Sequence, residues 1–303
     1  MWLGEAKSSF LPKKLLEEQL HRFLREDLGH GDITTSAVIP ANVIVEAEIL
    51  AKQTGVVGGI EEAIVLCRSV ELVGTALVDD GERVKSRTPL IHVRGDARTI
   101  LSVERTLVNL LSRMSGIATA TRGLVDKVER QGYNVRVACT RKVAPGLAYF
   151  DKKAVLVGGG DTHRFNLNDL VLIKDNHIKI VGSVKDAVEK ARATVSFSKK
   201  VEVEVGTLPE ALEAAEAGAD IVMLDNFSPV DTKKTILALT KKGLRNKVLV
   251  EASGGITETN IIEYASANVD IISVGRITHS APAFDISLEI TETQKPEKGD
   301  AGR

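Results

Sequence analysis

The stretch Val201-Glu202-Val203-Glu204-Val205 alternates valine with glutamate over five residues. A period of two marks a strand, because successive side chains point to opposite faces. Buried parallel strands usually read as near-continuous apolar runs, so two carboxylates on one face of such a strand call for an explanation. If the valines pack against helices, Glu202 and Glu204 point into the interior of the sheet. An ionised carboxylate is costly there unless cations or a solvated site receive it. The alternative is an edge strand with both glutamates in water.

Working outward, short apolar runs recur at 135–139, 171–173, 221–224, 248–250 and 271–274. They alternate with helical patterns at 183–194, 208–217, 229–242 and 257–267, several entered through Ser, Thr or Pro. Strand–helix repetition with short loops predicts a parallel sheet or barrel. Upstream lies a long helical stretch, 97–130, with a break expected near Gly116. Before it the pattern is mixed: a helix at 15–26, turn chemistry over 27–35, and strands at 43–50, 55–57, 76–78 and 90–93. Gly81-Glu82-Arg83-Val84 reads as a hairpin turn between the last two. From about Glu292 periodicity is lost and a frayed tail is expected.

Composition bounds the class of protein. At 303 residues, 43% hydrophobic and 27% charged, the chain has the make-up of an ordinary globular protein with a sizeable core. Forty Lys plus Arg against 41 Asp plus Glu leave no broad positive field, which excludes non-specific nucleic-acid binding. Two cysteines, Cys67 and Cys139, make neither a disulfide framework nor a metal site, so a cytoplasmic location is expected. There is no apolar run of the roughly 20 residues that a membrane helix needs.

Chemistry collects at the strand ends: Thr140-Arg141-Lys142, Lys174, Glu204, Asp225, Ser253-Gly254-Gly255 and Gly275 each close or follow a strand. In a parallel barrel those ends share one rim, where catalytic residues gather. Strand ends are exposed and carry polar residues anyway, but six together favour a site. Arg105, Arg141, Lys142, His163, Arg164 and Lys174 supply cations able to hold a polyanion. Ser253-Gly254-Gly255-Ile256-Thr257, expected to open a helix after its strand, forms with Gly275 a candidate phosphate cradle of unobstructed amides. Many cations, a cradle and two separated carboxylates suit an anionic substrate and a transition state that gains positive charge. Phosphoribosyl transfer, with its oxocarbenium-like ribose, fits that description.

Seven motifs carry a family resemblance. They are Val103-Glu104-Arg105-Thr106-Leu107; Thr140-Arg141-Lys142 with Pro145-Gly146; Gly158-Gly159-Gly160 with His163-Arg164; Ile173-Lys174-Asp175-Asn176-His177; Leu224-Asp225-Asn226-Phe227; Glu251-Ala252-Ser253-Gly254-Gly255; and Thr278-His279-Ser280-Ala281-Pro282. In this order, over about residues 26–290, the chain resembles the quinolinate phosphoribosyltransferases. The resemblance implies an α/β protein: an N-terminal α/β open-faced sandwich domain (1–116), an incomplete parallel α/β, TIM-like barrel (117–276), and a C-terminal segment (277–303) returning to the first domain. It implies transfer of phosphoribose from phosphoribosyl pyrophosphate to quinolinate with loss of carbon dioxide, giving nicotinate mononucleotide in NAD biosynthesis. Arg105, Thr140, Arg141, Lys142, His163, Arg164 and Lys174 would bind quinolinate. Glu204, Asp225, Ser253, Gly254, Gly255 and Gly275 would bind phosphoribosyl pyrophosphate, and the catalytic set would be Lys142, Lys174, Glu204 and Asp225. Magnesium would accompany the pyrophosphate, near Glu204 and Asp225. A homodimer is implied, with Arg105 reaching the neighbouring subunit's site, and higher assembly is left open.

The chain departs from the family pattern at Val143-Ala144, at Thr162, where Asn or Ser is usual, and at Arg276, which follows Gly275 where a small residue is common. Arg276 either adds a phosphate contact or points outward. Two rival readings are a nicotinate phosphoribosyltransferase on a related barrel, which needs fewer cations, and a non-catalytic ligand-binding barrel.

Overall fold

The alternating stretch is β8 (Val201–Val205), an interior strand of a six-stranded parallel sheet in the computed structural model, which describes residues 11–294. Its partners are β6 (Arg136–Ala138), β7 (Val171–Ile173), β9 (Ile221–Asp225), β10 (Leu249–Ser253) and β11 (Ile271–Ser273). The order is β6-β11-β10-β9-β8-β7, so sequential strands are neighbours and the first pairs with the last. That is a sheet curled into a barrel with one seam, between β6 and β7. At the seam Asp161 makes an isolated parallel bridge with Ala138. The expectation of an incomplete barrel is met, and β8 is not an edge strand.

The helices of this unit begin as their first residues direct. Ser183 accepts a hydrogen bond from the Asp186 amide at the start of α7 (Val184–Thr194). Thr207 and Glu210 form a reciprocal capping box at α8 (Leu208–Glu216), and Ser228 caps α9 (Pro229–Lys241). At the opposite end of the strands Asp220 and Asp270 each accept a 2.7 Å bond from a neighbouring strand, from Val201 N and Val250 N. One end of the sheet is thus fastened by structural carboxylates, leaving the other end for chemistry.

The described chain forms two compact units, this one (121–155 and 159–280) and a second made of residues 11–120, 156–158 and 281–294. The second unit holds an antiparallel sheet in the order β12-β1-β5-β3: β1 (Ile44–Ala51), β3 (Val73–Ala76), β5 (Pro89–Asp96) and β12 (Ile286–Gln294). Val45, Ala47 and Ile49 of β1 are buried and the intervening Glu46 and Glu48 are not, as an open-faced sheet requires. Helix α1 (Lys13–Leu28) buries Leu16, Leu20 and Leu24, and it packs on α3 (Ile60–Ser69).

Five local expectations are corrected. Helix α4 (Ala97–Arg130) is unbroken: Gly116 lies where a Cβ would come within 2.1 Å of the Pro282 carbonyl oxygen, so its role is close approach. Arg83–Val84 is not a turn but a short strand, β4, paired with β2 (Gly55–Val56), and the strand expected at 76–78 lies earlier, at Val73–Ala76. Residues Ile33–Val38 within and beyond the expected turn form helix α2, capped by Asp32, whose carboxylate accepts the Thr35 amide at 2.9 Å. Glu292, Thr293 and Gln294 are not frayed, because β12 pairs through them with Glu46, Val45 and Ile44. The rest of the expected tail, from 295, lies outside the described residues.

Candidate active site

β8 places both glutamates on one face, and each meets a cation. Glu204, nearer the rim, binds Lys174 at 2.5 Å between Oε2 and Nζ. Lys174 stands between β7 and the short helix α6 (Asp175–Val181), with its own amide donating to His177 Nδ1 at 2.9 Å. Glu202, one strand period deeper, has no accessible surface, and its nearest partner is His163 Nε2 at 3.4 Å. The same nitrogen is 3.1 Å from Glu251 Oε2 on β10, which is also fully buried.

The loop carrying His163 and Arg164 is fastened at several points. His163 has a left-handed backbone, φ +50°. Its amide donates to Asp161 Oδ1 at 2.8 Å, and its Nδ1 accepts the Arg164 amide at 2.8 Å. From α5 (Ala148–Val157) the fully buried Lys152 sends its ammonium to the carbonyls of Thr162 (2.5 Å) and Arg164 (2.8 Å). Burial disfavours a charged His163, but the facing carboxylates of Glu202 and Glu251 outweigh it and shift the ring upward from its ordinary value. The Arg164 amide, by donating to Nδ1, opposes the second proton, so the proton on Nε2 is the fixed one. Burial raises Glu202 and lowers Lys152.

Arg164 is 8% exposed, and burial followed by the nearby Arg141 lowers its affinity for its proton. Among the described residues neither guanidinium, nor the Lys142 ammonium, enters an ion pair. A buried guanidinium facing another without a paired anion is a site prepared for one. Thr140 Oγ1 accepts the Lys142 amide at 3.1 Å. The Lys142 stem passes Gly275 so closely that a Cβ there would be 3.2 Å from its Cδ, and Thr278 Oγ1 donates to the Lys142 carbonyl at 2.8 Å. The segments after β6 and β11 are joined in this way.

On the next strands Asp225, Ser253 and Ser273 stand level with one another. Beyond Ser253 the chain turns through two left-handed glycines, Gly254 (φ +94°) and Gly255 (φ +60°). A Cβ on Gly254 would strike Asn226 Oδ1 at 2.3 Å, whereas Gly255 faces open space. The cradle is therefore a glycine turn: the helix expected to open at Thr257 begins only at Ile261, as α10 (Ile261–Ala265). Gly275 lies two residues beyond the β11 end and starts the short helix α11 (Arg276–His279), whose Arg276 is exposed. Arg105 belongs to the other unit, on α4, and is exposed.

The family model for the quinolinate phosphoribosyl transferase N-terminal domain matches residues 32–115, and that for the C-terminal domain matches residues 117–289. The chain belongs to this family. Relatives agree along nearly the whole length. The probable nicotinate-nucleotide pyrophosphorylase (carboxylating) of Methanothermobacter thermautotrophicus is 49% identical over 271 residues, 89% of this chain and 97% of that one. The nicotinate-nucleotide pyrophosphorylase (carboxylating) of Homo sapiens is 37% identical over 287 residues, 95% of each. Among solved structures, the nicotinate-nucleotide pyrophosphorylase of Francisella tularensis superimposes with a TM-score of 0.85 at 35% identity, covering 93% of this chain and 98% of that one.

Three residues now stand out in this quinolinate phosphoribosyl transferase family member that were not singled out as site residues from its sequence: Lys152, Glu251 and Ser273. Glu251 is a lone charge inside the apolar run from Val248 to Ala252, the same signal that Glu202 gives in β8. Asp151, Lys152 and Lys153 interrupt an otherwise apolar helix, and all three are fully buried. Ser273 carries no such signal: its buried hydroxyl, without a hydrogen-bond partner among the described residues, is visible only in three dimensions.

Proposed function

We propose that the parallel-sheet unit holds quinolinate between the Arg141, Lys142 and Arg164 cations and transfers to it the phosphoribosyl group of phosphoribosyl pyrophosphate. The observation that carries this reading is Arg164, nine-tenths buried beside Arg141 with no ion-pair partner among the described residues. Two adjacent carboxylates on a pyridine ring satisfy such a pair, and bidentate contacts fix the ring plane. Thr140, His163 and Lys174 complete the pocket, with Arg105 supplied by the second subunit of a homodimer. The dimer, any higher assembly and a cytoplasmic location belong to this proposal.

The chemistry follows from the charges. The pyridine nitrogen attacks C1 of the ribose as the bond to pyrophosphate breaks, and Glu204 and Asp225 face the positive charge that develops there. The product is a pyridinium. Its positive nitrogen stabilises the electron pair left on C2 when the 2-carboxylate departs as carbon dioxide, and a solvent proton then occupies C2. Positioning and preorganised charge account for the catalysis without a covalent intermediate. The turn Ser253-Gly254-Gly255 and Gly275 offer amides to phosphate. Glu204 and Asp225, oxygen donors at the strand ends, are of the kind magnesium takes, and magnesium when bound neutralises the leaving pyrophosphate.

A nicotinate-specific enzyme would have a single carboxylate to hold and no use for the full cation set. The human nicotinic acid phosphoribosyltransferase shares the fold, with a TM-score of 0.59 at 12% identity, covering 94% of this chain and 75% of that one. Steady-state kinetics of Arg164→Ala test the assignment: the expected result is a quinolinate KM raised about tenfold or more. An unchanged KM would remove the residue from the pocket.

A further inference from the structure

The His163-Arg164 loop is bound by three buried charges that the reaction does not touch. Lys152 on α5, Glu202 on β8 and Glu251 on β10 come from three separate elements, and none has accessible surface. Burying three charges costs more than packing apolar side chains of the same size, so stability alone does not explain them. What they share is one target. Lys152 holds the carbonyls on either side of His163, those of Thr162 and Arg164, while Glu202 and Glu251 face its Nε2.

The target is strained. A non-glycine residue at φ +50° persists only where its surroundings over-determine it. The backbone tethers keep the peptide there. The ring is fixed separately, since the Arg164 amide occupies Nδ1 and Glu251 accepts from Nε2 at 3.1 Å, with Glu202 3.4 Å from the same nitrogen, so rotation about either side-chain torsion would break a bond. Glu202 is otherwise unexplained: neither of its oxygens has a hydrogen-bond partner among the described residues, and the polar atom nearest to it is His163 Nε2 at 3.4 Å.

We propose that Lys152, Glu202 and Glu251 are positioning residues, forming a buried seat that locks the His163 ring and the backbone on either side of it and so holds the Arg164 guanidinium in the geometry that receives the quinolinate carboxylates. This rests on the assignment of His163 and Arg164 to the acceptor pocket. Productive recognition needs side chains held to within about half an ångström, and the seat supplies that rigidity from outside the pocket.

The test compares full-length Glu251→Gln, Lys152→Met and Arg164→Ala with the unaltered protein. The readouts are thermal midpoint, the separate KM values for quinolinate and phosphoribosyl pyrophosphate, and the His163 ring signals in nitrogen-15 histidine spectra, located by their loss in His163→Gln. Glu251→Gln keeps its shape and folds. It is expected to raise the quinolinate KM about tenfold while the phosphoribosyl pyrophosphate KM stays within about twofold, and to shift the His163 Nε2 signal. Lys152→Met should give the same split, and if it does not fold, Glu251→Gln decides. An unmoved quinolinate KM in Glu251→Gln, or an equal rise in both KM values, overturns the seat provided Arg164→Ala raises the quinolinate KM. If Arg164→Ala leaves that KM unchanged, the pocket assignment falls and takes the seat with it. Stoichiometric zinc or manganese in the purified protein, lost in Glu251→Gln, would also overturn it by making the three facing groups a metal site.

Discussion

Two glycines in one helix should respond oppositely to the same substitution. Gly123 of α4 is exposed, and a Cβ there meets nothing within 4 Å, so Gly123→Ala gains the helix propensity difference of about 0.8–1.0 kcal/mol. Gly116→Ala gains the same propensity but places its methyl 2.1 Å from the Pro282 carbonyl oxygen. Real Cβ contacts stay beyond 3.0 Å, so the Pro282 segment must retreat by about 1 Å. That segment is held by the Phe284 amide on the Ser112 carbonyl at 2.9 Å and by the Phe284 ring, 1% exposed. Overpacking of this kind costs about 1–3 kcal/mol, and loosening the hydrogen bond adds about 1 kcal/mol. Subtracting the propensity gain leaves a net loss of about 1–3 kcal/mol. Calorimetry should show a midpoint raised by about 2–4 °C for Gly123→Ala, and one lowered by at least as much for Gly116→Ala. Equal stabilisation by both would refute the close approach and restore a glycine that merely interrupts the helix.

Glu204→Ala should fold normally and lose nearly all turnover, because it removes the partner of Lys174 and the carboxylate that the proposed mechanism sets against the ribose; normal activity would sink its assignment. The two cysteines should be silent towards thiol reagents. Burial disfavours the thiolate and pushes Cys67 up to about 12 and Cys139 up to about 11, so at pH 8 the reactive fraction is on the order of one in a thousand or less. Native protein should show no modified thiol after minutes at pH 8, and denatured protein two; rapid labelling of the native form would contradict the burial.

What the sequence made legible was local periodicity and strand-end chemistry. The alternation at Val201–Val205, the apolar run at Ile221–Asp225 and the Ser or Thr before α7, α8 and α9 carry their own instructions, and the structure follows them within a residue or so. The inward aim of Glu202 and Glu204 was legible only on the condition that the valines pack against helices, and the edge-strand alternative fell once β8 took an interior place in the sheet. Non-local causes stayed hidden. Gly116 answers to Pro282, far along the chain, and Arg83–Val84 becomes a strand because Gly55–Val56 lies beside it. Lys152 and Glu251 each stand out in the sequence as a charge within an apolar segment, but their common target, the His163 loop, is set only by the fold. Acceptor identity was legible only through resemblance, since cations at a rim suit many anions.

The central claim concerns the acceptor. Purified protein, magnesium and phosphoribosyl pyrophosphate should be incubated with quinolinate labelled in its 2-carboxylate, and in parallel with nicotinate, measuring mononucleotide and labelled carbon dioxide together. The account predicts one carbon dioxide for each mononucleotide formed from quinolinate and no product from nicotinate. Turnover of nicotinate with none of quinolinate, or mononucleotide made from quinolinate without loss of the label, would contradict it.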